Sequence, residues 1–383
     1  MWLTSPCKRR KSMESEEEFL CKVEEWVLRS VQQGAKDFEE ILCKLPGVYP
    51  PIVLVALQHL GVHGRISHSL FVQCSASAQN ASAPCPVHPF ASALPVPHPL
   101  DYAWRFSHRG SHNLMQMIER FVRPTDSVVM LGTPGLVEHM LTHHAPYEIT
   151  VLDTDPLVIE RLKVLTSSIA ASAMTVNVCQ EELPEVRSRV VAADPPWYPE
   201  HRRAFAWAAS AMCEVGGNVL LCFPPSGTRP GVTEEWNDLF RWAGEVGLSL
   251  VEKHLGVVPY VSPYFERNAL AQCKVRSILS EWRCADVAHF RKIATMAVPR
   301  PSLPAPQHRW HEEVVGKVRF RLRIDDARST GDVRLGPIIE GDVLPSVSRR
   351  HPLRQEASVW TCGNRIFKCG DTAALASIIR EMG

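Results

Sequence analysis

Short apolar runs alternate with segments of helical spacing between residues 113 and 258, and this alternation constrains the fold more than any other feature of the chain. It indicates parallel strands joined by helical crossovers, because a parallel pair needs a long connection that packs on a face of its sheet. We therefore predict an α/β fold with a doubly wound, mostly parallel sheet. The predicted strands are 128–131, 149–152, 174–178, 190–193, 218–223, 248–258 and 269–279, the last two forming an antiparallel pair, and the predicted helices are 114–121, 136–141, 157–165, 203–213 and 236–246.

Composition divides the 383-residue chain into four parts. Residues 14–66 have helical periodicity and are predicted to form a helical, winged-helix-like module. Residues 67–100 are rich in Ser, Ala and Pro and are predicted to be a linker. Residues 101–284 contain the α/β core, and residues 285–383 are predicted to form a small, basic α+β module.

The first module contains three predicted helices with a short, glycine-containing turn before the last one, an arrangement similar to a helix-turn-helix. Residues 61–66 are predicted to begin a small wing. The helix in the recognition position, residues 52–57, is almost uncharged, whereas DNA-reading helices present Arg, Asn or Gln to base edges. The module therefore suits homodimer formation or packing within the chain as well as DNA binding.

The last module contains a run from 318 to 324 in which apolar and basic residues alternate, as in a half-buried strand. Arg319, Arg321 and Arg323 fall on one face of this strand. Three cations in a row predict contact with phosphate groups.

The overall charge is balanced, with 42 Lys and Arg against 41 Asp and Glu, so no net field steers the chain onto nucleic acid. The twelve cysteines are scattered without a CxxC pair, which indicates buried thiols in a reducing compartment and predicts no metal site. No apolar stretch approaches the length of a membrane span. We expect a cytoplasmic protein without a membrane partner.

Asp194-Pro195-Pro196-Trp197 follows an apolar run at the end of a predicted strand. The two prolines remove backbone donors and stop the strand from continuing as a paired ladder. A carboxylate, a free carbonyl and a flat ring then stand together, and this combination suits a planar or neutral amine.

A glycine turn and an acid precede this motif at the ends of two earlier strands. Gly132, Thr133 and Gly135 lie between a strand and a helix, where a ligand can approach the backbone. Asp153 ends the next strand, about 20 residues further on, where doubly wound nucleotide sites place an acid for ribose hydroxyls. Asp155 is better placed to cap the following helix.

In this order of motifs, residues 113–280 resemble the class I S-adenosylmethionine-dependent methyltransferases, which have a Rossmann-like fold, and specifically the amino-methylating group with an Asp/Asn-Pro-Pro-aromatic motif. The resemblance implies that Gly132, Thr133 and Gly135 bind the methionine part of the cofactor and Asp153 its ribose. Gln180 or Glu181 would lie near the adenine. The catalytic loop would be Asp194, Pro195, Pro196 and Trp197, with Asp194 and the Pro195 carbonyl accepting hydrogen bonds from the target amine and Trp197 stacking on its ring.

The chain is also similar to branched-chain polyamine synthases, which combine a winged-helix-like unit with an Asp-Pro-Pro-aromatic loop. Their site should be rich in acids, whereas His201, Arg202 and Arg203 follow the motif here and favour an anionic substrate. Pro134 also removes a donor from the glycine turn. Residues 260–268 are predicted to form the far wall of the cleft. The predicted substrate contacts are Tyr198, Arg202, Tyr264, Glu266 and Asn268.

The sequence thus predicts S-adenosylmethionine-dependent methyl transfer to an amine nitrogen, foremost an exocyclic nucleobase amine in nucleic acid. Aminopropyl transfer to a small polyamine is the first alternative. A catalytically silent protein of methyltransferase fold that binds DNA or acts as a scaffold is the second.

Overall fold

The computed structural model of the chain describes residues 14–80, 93–143, 146–167, 171–277, 281–304, 308–324 and 331–382. Its amino-terminal helices are α1 (Glu16–Gln32), α2 (Phe38–Lys44), α3 (Pro50–Val62) and α4 (His68–Gln79). The strands of the central sheet are β1 (Arg105–Phe106), β2 (Ser127–Leu131), β3 (Glu148–Asp153), β4 (Ala171–Thr175), β5 (Ser188–Ala193), β6 (Cys213–Phe223), β7 (Leu248–Val261) and β8 (Cys284–Lys292). The helices around it are α5 (His108–Glu119), α6 (Pro134–Thr142), α7 (Pro156–Thr166), α8 (Pro199–Met212), α9 (Val232–Glu245) and α10 (Tyr264–Gln272).

The central sheet has the order β1-β7-β8-β6-β5-β2-β3-β4. The strands from β6 through β5, β2 and β3 to β4 pair in parallel, and β8 is antiparallel to both β6 and β7. Successive residues of β5 point to opposite faces: Val190 packs with the core under α5, α6 and α7, and Val191 packs with the core under α8 and α9. This arrangement confirms the predicted Rossmann-like, doubly wound fold.

One predicted strand is wrong. Residues 269–279 were expected to pair with β7, but α10 occupies Tyr264–Gln272, and the antiparallel partner of β7 is β8. The sequence Ala269–Gln272 consists of good helix formers. The strand β8 is hard to recognise because Asp286 and His289 interrupt its apolar pattern, although both are buried. It also crosses the predicted boundary at residue 284.

The predicted linker contains a helix. Ser67 caps α4 by accepting a hydrogen bond from the Leu70 amide at 3.3 Å, and Cys74 and Ala78 are buried in the amino-terminal core. The expected wing at 61–66 is also wrong, since these residues end α3 and lead into α4, and residues 14–80 contain no strand. The stretch 81–92 of the predicted linker lies outside the described residues.

The amino-terminal helices dock on the α/β core. Leu270 and Val275, which belong to α10 and the segment after it, join the same apolar cluster as α1 to α4. The Gly227 amide donates to the Pro46 carbonyl at 2.9 Å, and the Arg276 amide donates to the Ala78 carbonyl at 2.8 Å. Packing within the chain therefore uses much of this module's surface. No helix within the described ranges is long and apolar enough to cross a membrane.

The carboxy-terminal module is a five-stranded antiparallel sheet with one helix. Its strands are β9 (Arg309–Val315), β10 (Val318–Ile324), β11 (Gly336–Pro337), β12 (Val359–Thr361) and β13 (Ile366–Lys368), in the order β11-β13-β12-β10-β9, and α11 (Thr372–Met382) packs on β9 and β10. The alternating strand and the final helix were both predicted.

The arginines of β10 do not form a phosphate-binding face, which corrects the prediction. Arg319 is almost fully buried, and its guanidinium lies 2.9 Å from Asp155, 2.7 Å from Glu312 and 3.3 Å from Asp101. Arg321 also pairs with Asp101, at 2.9 Å. The neighbouring Arg323 donates to the carbonyls of Gln355 and Ala357 at 3.1 and 3.4 Å. The first two arginines tie the module to the core.

We expect Arg319→Met to destabilise the protein strongly. The substitution keeps the apolar stem of the side chain but removes the guanidinium, which leaves Asp155 without its cation. Breaking a buried pair in this way costs roughly 3–5 kcal/mol. Arg334→Met is the matched control, because Arg334 is 88% exposed and solvent-exposed ion pairs such as its pair with Asp332 add little to stability. Urea unfolding of both variants measures the difference. Equal decreases in the free energy of unfolding of the two variants would contradict a central role for Arg319.

Candidate active site

Three chain segments meet at the carboxyl ends of the parallel strands. Leu131 is in register with Leu152 on one side and with Ala193 on the other, so the residues that follow these positions converge. The Gly132 amide donates to the Leu152 carbonyl, and the Asp194 amide donates to the Leu131 carbonyl, both at 3.0 Å. The structure therefore brings the glycine turn, Asp153 and the Asp194 loop together at one edge.

Gly132 is required by the geometry of this turn. Its φ of +64° is unfavourable for other residues, and an added Cβ would lie 3.2 Å from the Asp194 carbonyl oxygen and 3.3 Å from the Phe205 ring. Pro134 is the first residue of α6, where its missing donor is not needed by the helix. The Thr133 hydroxyl is buried and has no hydrogen-bond partner within the described residues. A polar group of a ligand would satisfy it.

Asp153 and Asp155 have separate roles. Asp155 caps α7, as predicted, by accepting from the Leu157 amide at 3.1 Å, and it also pairs with Arg319. Asp153 accepts one hydrogen bond from the Asp155 amide at 2.9 Å. Burial raises the pKa of Asp153 to about 6, while the nearby Arg105 guanidinium opposes this increase. Arg105 itself packs against Gly135, 3.6 Å from an added Cβ.

Gln180 and Glu181 lie in an exposed turn after β4. Asn177 holds both side chains: its amide donates to Glu181 at 3.0 Å, and its side chain donates to Gln180 at 3.2 Å. The Val176 amide donates to the Asp153 carbonyl at 2.9 Å, which anchors the start of this turn beside the acid. The predicted adenine-side residues thus lie in a turn that follows β4 and begins at a bond to the end of β3.

Asp194 is held by a tyrosine from the far side of the sheet. The hydroxyl of Tyr260, near the end of β7, donates to Asp194 Oδ1 at 2.7 Å. Asp194 is half-buried, and this burial raises the pKa of its carboxyl group to about 8, although the hydrogen bond from Tyr260 favours the ionised form. A carboxyl group whose pKa lies near neutrality can gain or lose a proton during a reaction.

An aromatic cage surrounds a guanidinium next to this pair. Trp104, Trp197 and Trp282 form the cage, with the Arg283 guanidinium carbon 5.2, 5.2 and 4.6 Å from their ring centroids. Glu266, which is fully buried, pairs with Arg283 at 2.5 Å and accepts from the Trp104 indole at 3.2 Å. Trp197, predicted to stack on a substrate ring, therefore stacks on a cation, and Glu266 reaches the site through that cation.

Three of the other predicted substrate contacts lie against the carboxy-terminal module. Tyr198 accepts from the Arg349 amide at 3.0 Å, and the Asn268 side chain donates to the Gly363 carbonyl at 2.7 Å, so both contact the carboxy-terminal module. Tyr264 is 57% exposed and borders Gly363 as well.

Arg202 does not lie where a substrate contact was predicted. It belongs to α8, and its fully buried side chain pairs with Glu235 of α9. Glu235 also pairs with Arg229, at 2.5 Å. A buried, neutralised guanidinium cannot contact a substrate in this conformation. The His201-Arg202-Arg203 run was the basis for predicting an anionic substrate, and Arg202 is not available to bind one.

Sequence reasoning missed Tyr260, Trp104 and Arg283 as members of this site. The aromatic density of residues 101–106 and the expected cleft wall at 260–268 were the available signals. The contacts themselves depend on β1 pairing with β7, in which Phe106 faces Tyr260, and this pairing leaves no trace in the local sequence.

Comparison with known proteins supports the fold. No protein-family model matches the chain, and no curated protein matches it. The branched-chain polyamine synthase of Thermus thermophilus, solved in complex with N4-aminopropylspermidine and 5′-methylthioadenosine, aligns with a TM-score of 0.57 and 16% identity, covering 76% of this chain and 97% of that one. Its C9 mutein aligns with a TM-score of 0.58 and 14% identity, covering 76% and 94%. A putative RNA methyltransferase from Pyrococcus horikoshii aligns more loosely, with a TM-score of 0.39 and 11% identity over 57% of this chain and 96% of that one. The chain is thus similar in fold to the branched-chain polyamine synthase.

We expect Asp194→Asn to change how stability depends on pH. The folded pKa of Asp194 is about 8 and its ordinary value is 3.8, so the folded state holds a proton that the unfolded state has lost between these values. The stability contributed by this carboxyl group is therefore fully present below pH 3.8, and it is lost as the pH rises from 3.8 towards about 8. Asparagine stays neutral and still accepts from Tyr260.

The midpoint of thermal unfolding, measured for both proteins, checks this expectation. The melting temperature of the variant relative to the unsubstituted protein should rise between about pH 5 and about pH 9. A difference that stays constant across this range would show that the folded carboxyl group titrates normally.

Proposed function

We propose that this protein transfers an alkyl group from an S-adenosylmethionine-type sulfonium to an amine nitrogen, and that an aliphatic polyamine receiving an aminopropyl group is the substrate best supported. The observation that carries the proposal is the Asp194–Tyr260 pair at the carboxyl end of β5, directly beside the glycine turn. It combines a proton acceptor of raised pKa with the edge where doubly wound folds bind nucleotides.

The residues at this edge suit the nucleoside part of such a cofactor. Gly132 keeps the turn close to the Asp194 loop, and the unsatisfied Thr133 hydroxyl needs a polar partner. Asp153 would accept hydrogen bonds from the ribose, and Gln180 or Glu181 would lie by the adenine. The bound sulfonium would supply the electrophilic carbon.

Aliphatic amines place a demand on the protein that nucleobase amines do not. With a pKa near that of lysine, roughly 10.4, an aliphatic amine is protonated at neutral pH and has no lone pair to attack with. Asp194 in its ionised form would take this proton, and a pKa of about 8 is matched to that task. The Pro195 carbonyl would accept the second N–H, and Tyr260 would keep the carboxyl group oriented.

The surroundings of Asp194 also favour a cation. The aromatic cage holds the Arg283 guanidinium by cation–π contact, and an alkylammonium is attracted to aromatic faces by the same electrostatics. The cations that suggested a nucleic-acid partner, Arg202, Arg319 and Arg321, are instead paired within the protein. This balance moves our preference from a nucleobase to a polyamine.

Methyl transfer to an exocyclic nucleobase amine is the second candidate. The Asp194-Pro195-Pro196-Trp197 loop favours it, since the acid, the carbonyl and the indole ring suit a planar NH2 group. In this case Trp197 would have to exchange the Arg283 guanidinium for a flipped base, because both need the same aromatic face.

A transfer assay distinguishes these candidates. The purified protein is incubated with S-adenosylmethionine or its decarboxylated form, together with spermidine or an adenine-containing oligonucleotide, and products are identified by mass spectrometry. Aminopropylated spermidine is the expected product. A methylated oligonucleotide would establish the second candidate instead. If calorimetry detects no binding of either sulfonium, both transfer reactions are excluded and a scaffold role remains.

We expect Asp194→Asn to lower the transfer rate by about 10²-fold or more, because general base catalysis contributes on this scale. Affinity for the sulfonium, measured by calorimetry, should change little. Asp153→Asn is the control with the opposite pattern. It should weaken sulfonium binding more than it lowers the transfer rate of the bound complex. Loss of binding in Asp194→Asn as large as the loss of rate would contradict the assignment.

Tyr260→Phe should shift the pH–rate profile. The Tyr260 hydrogen bond lowers the pKa of Asp194, so its removal raises that pKa and moves the acidic limb of the profile to higher pH. Rates of product formation across the pH range check this direction. An unchanged limb would show that another group controls the rate.

A further inference from the structure

Two histidine pairs with a spacing of four residues face each other outside the site described above. His108 and His112 belong to α5, and His139 and His143 lie at the end of α6 and its cap. A spacing of four places both members of a pair on the same side of a helix. The helices α5 and α6 pack together, so the two pairs form one cluster.

Three of these side chains are close enough to share a ligand. Nitrogen atoms of His108, His139 and His143 all lie within 4.8 Å of one another. The His139 ring centroid is 4.1 Å from that of His143 and 5.0 Å from that of His108. Tetrahedral ligands at about 2.0–2.1 Å from a metal are separated by roughly 3.4 Å. Small rotations of the exposed His108 and His143 side chains would give this spacing.

His139 provides an independent observation that points to a ligand. His139 is only 8% exposed, and its Nε2 atom has no hydrogen-bond partner within the described residues. Buried polar atoms are rarely left without a partner, because desolvation of an unpaired nitrogen costs free energy. A metal ion in the cluster would satisfy this nitrogen.

The tautomer of His143 is already suitable for a metal. Its Nδ1 atom lies 2.8 Å from the His139 carbonyl oxygen, which can only accept, so Nδ1 carries the proton. The lone pair is then on Nε2. A hydrogen bond from the second nitrogen to a backbone carbonyl is the usual way in which proteins orient a histidine ligand.

We propose that His108, His139 and His143 form a site for a divalent transition metal of the zinc class. Imidazole nitrogen suits such ions, whereas magnesium and calcium prefer oxygen. Water would take the fourth position, or His112 would, whose ring centroid is 6.3 Å from that of His139. The metal would fasten α5 to the end of α6, the helix that begins at the glycine turn. The scattered cysteines are not needed for this site.

Zinc titration of the tag-free, metal-stripped full chain tests the proposal. We expect one zinc ion to bind and to raise the melting temperature, because a ligand of the folded state stabilises it. The double variant His108→Gln/His143→Gln should bind this ion at least tenfold more weakly and should lose the thermal shift. Both residues are exposed, so the melting temperature of the metal-free variant should stay near that of the unsubstituted protein.

A matched control lies at the end of α3 and its cap, where His59 and His63 have the same spacing but face no second histidine pair within the described residues, and His59 contacts Glu24 at 3.2 Å. His59→Gln/His63→Gln should leave zinc affinity unchanged. Cobalt substitution should give a d–d spectrum without a thiolate charge-transfer band. Equal zinc affinity in the unsubstituted protein and the His108/His143 double variant, or a strong thiolate band, would overturn the proposal.

Discussion

The parallel pairing of β2 with β3 and β5 is the constraint on which the candidate site depends. One register aligns Leu131 with both Leu152 and Ala193, so three chain reversals occur at the same height of the sheet. A shift of one residue in either pair would move each side chain from one core to the core on the opposite face, and it would separate the glycine turn from Asp194. The buried residues of these strands therefore fix the positions of the polar ones that follow them.

The carboxy-terminal module completes this edge from outside the α/β core. Arg319 of β10 reaches Asp155, the cap of α7, and donates to the Val96 carbonyl at 2.9 Å. Buried arginines of this kind require several acceptors, because the desolvation of one charge must be offset by pairing. The same acids keep the arginine away from any external phosphate. Charge patterning in the sequence was a good guide to where cations lie and a poor guide to what they bind.

The sequence was sufficient for the features that depend on local pattern. Apolar periodicity placed β2, β3, β5 and most core helices, and the order of Gly132, Asp153 and Asp194 along the chain predicted their meeting at one edge. Asp155 as a helix cap followed from its position alone. These features repeat in many doubly wound proteins, because they arise from the geometry of strands and crossovers.

The remaining features depend on contacts between distant segments. The strand β8 contains buried polar residues, Asp286 and His289, which have partners only in the folded chain: Asp286 accepts from the Gly256 amide at 2.7 Å, and His289 contacts Asn218 at 3.0 Å. Arg202 looked like a surface cation because its partner, Glu235, lies on another helix. The aromatic cage assembles from three separate parts of the chain. No window of sequence contains enough of any of these sets to reveal it.

The position of β8 in the sheet has a consequence for how this protein is made. Because β8 lies between β6 and β7, Tyr260 is connected to the rest of the sheet through a strand that comes later in the chain. When only the residues before β8 have emerged from the ribosome, the strands that carry the glycine turn and the Asp194 loop are already present. The strand β8, which joins β7 to β6, is still missing at that stage. We therefore expect the Tyr260–Asp194 hydrogen bond to form after the parallel strands have paired, once β8 has emerged and joined β7 to β6.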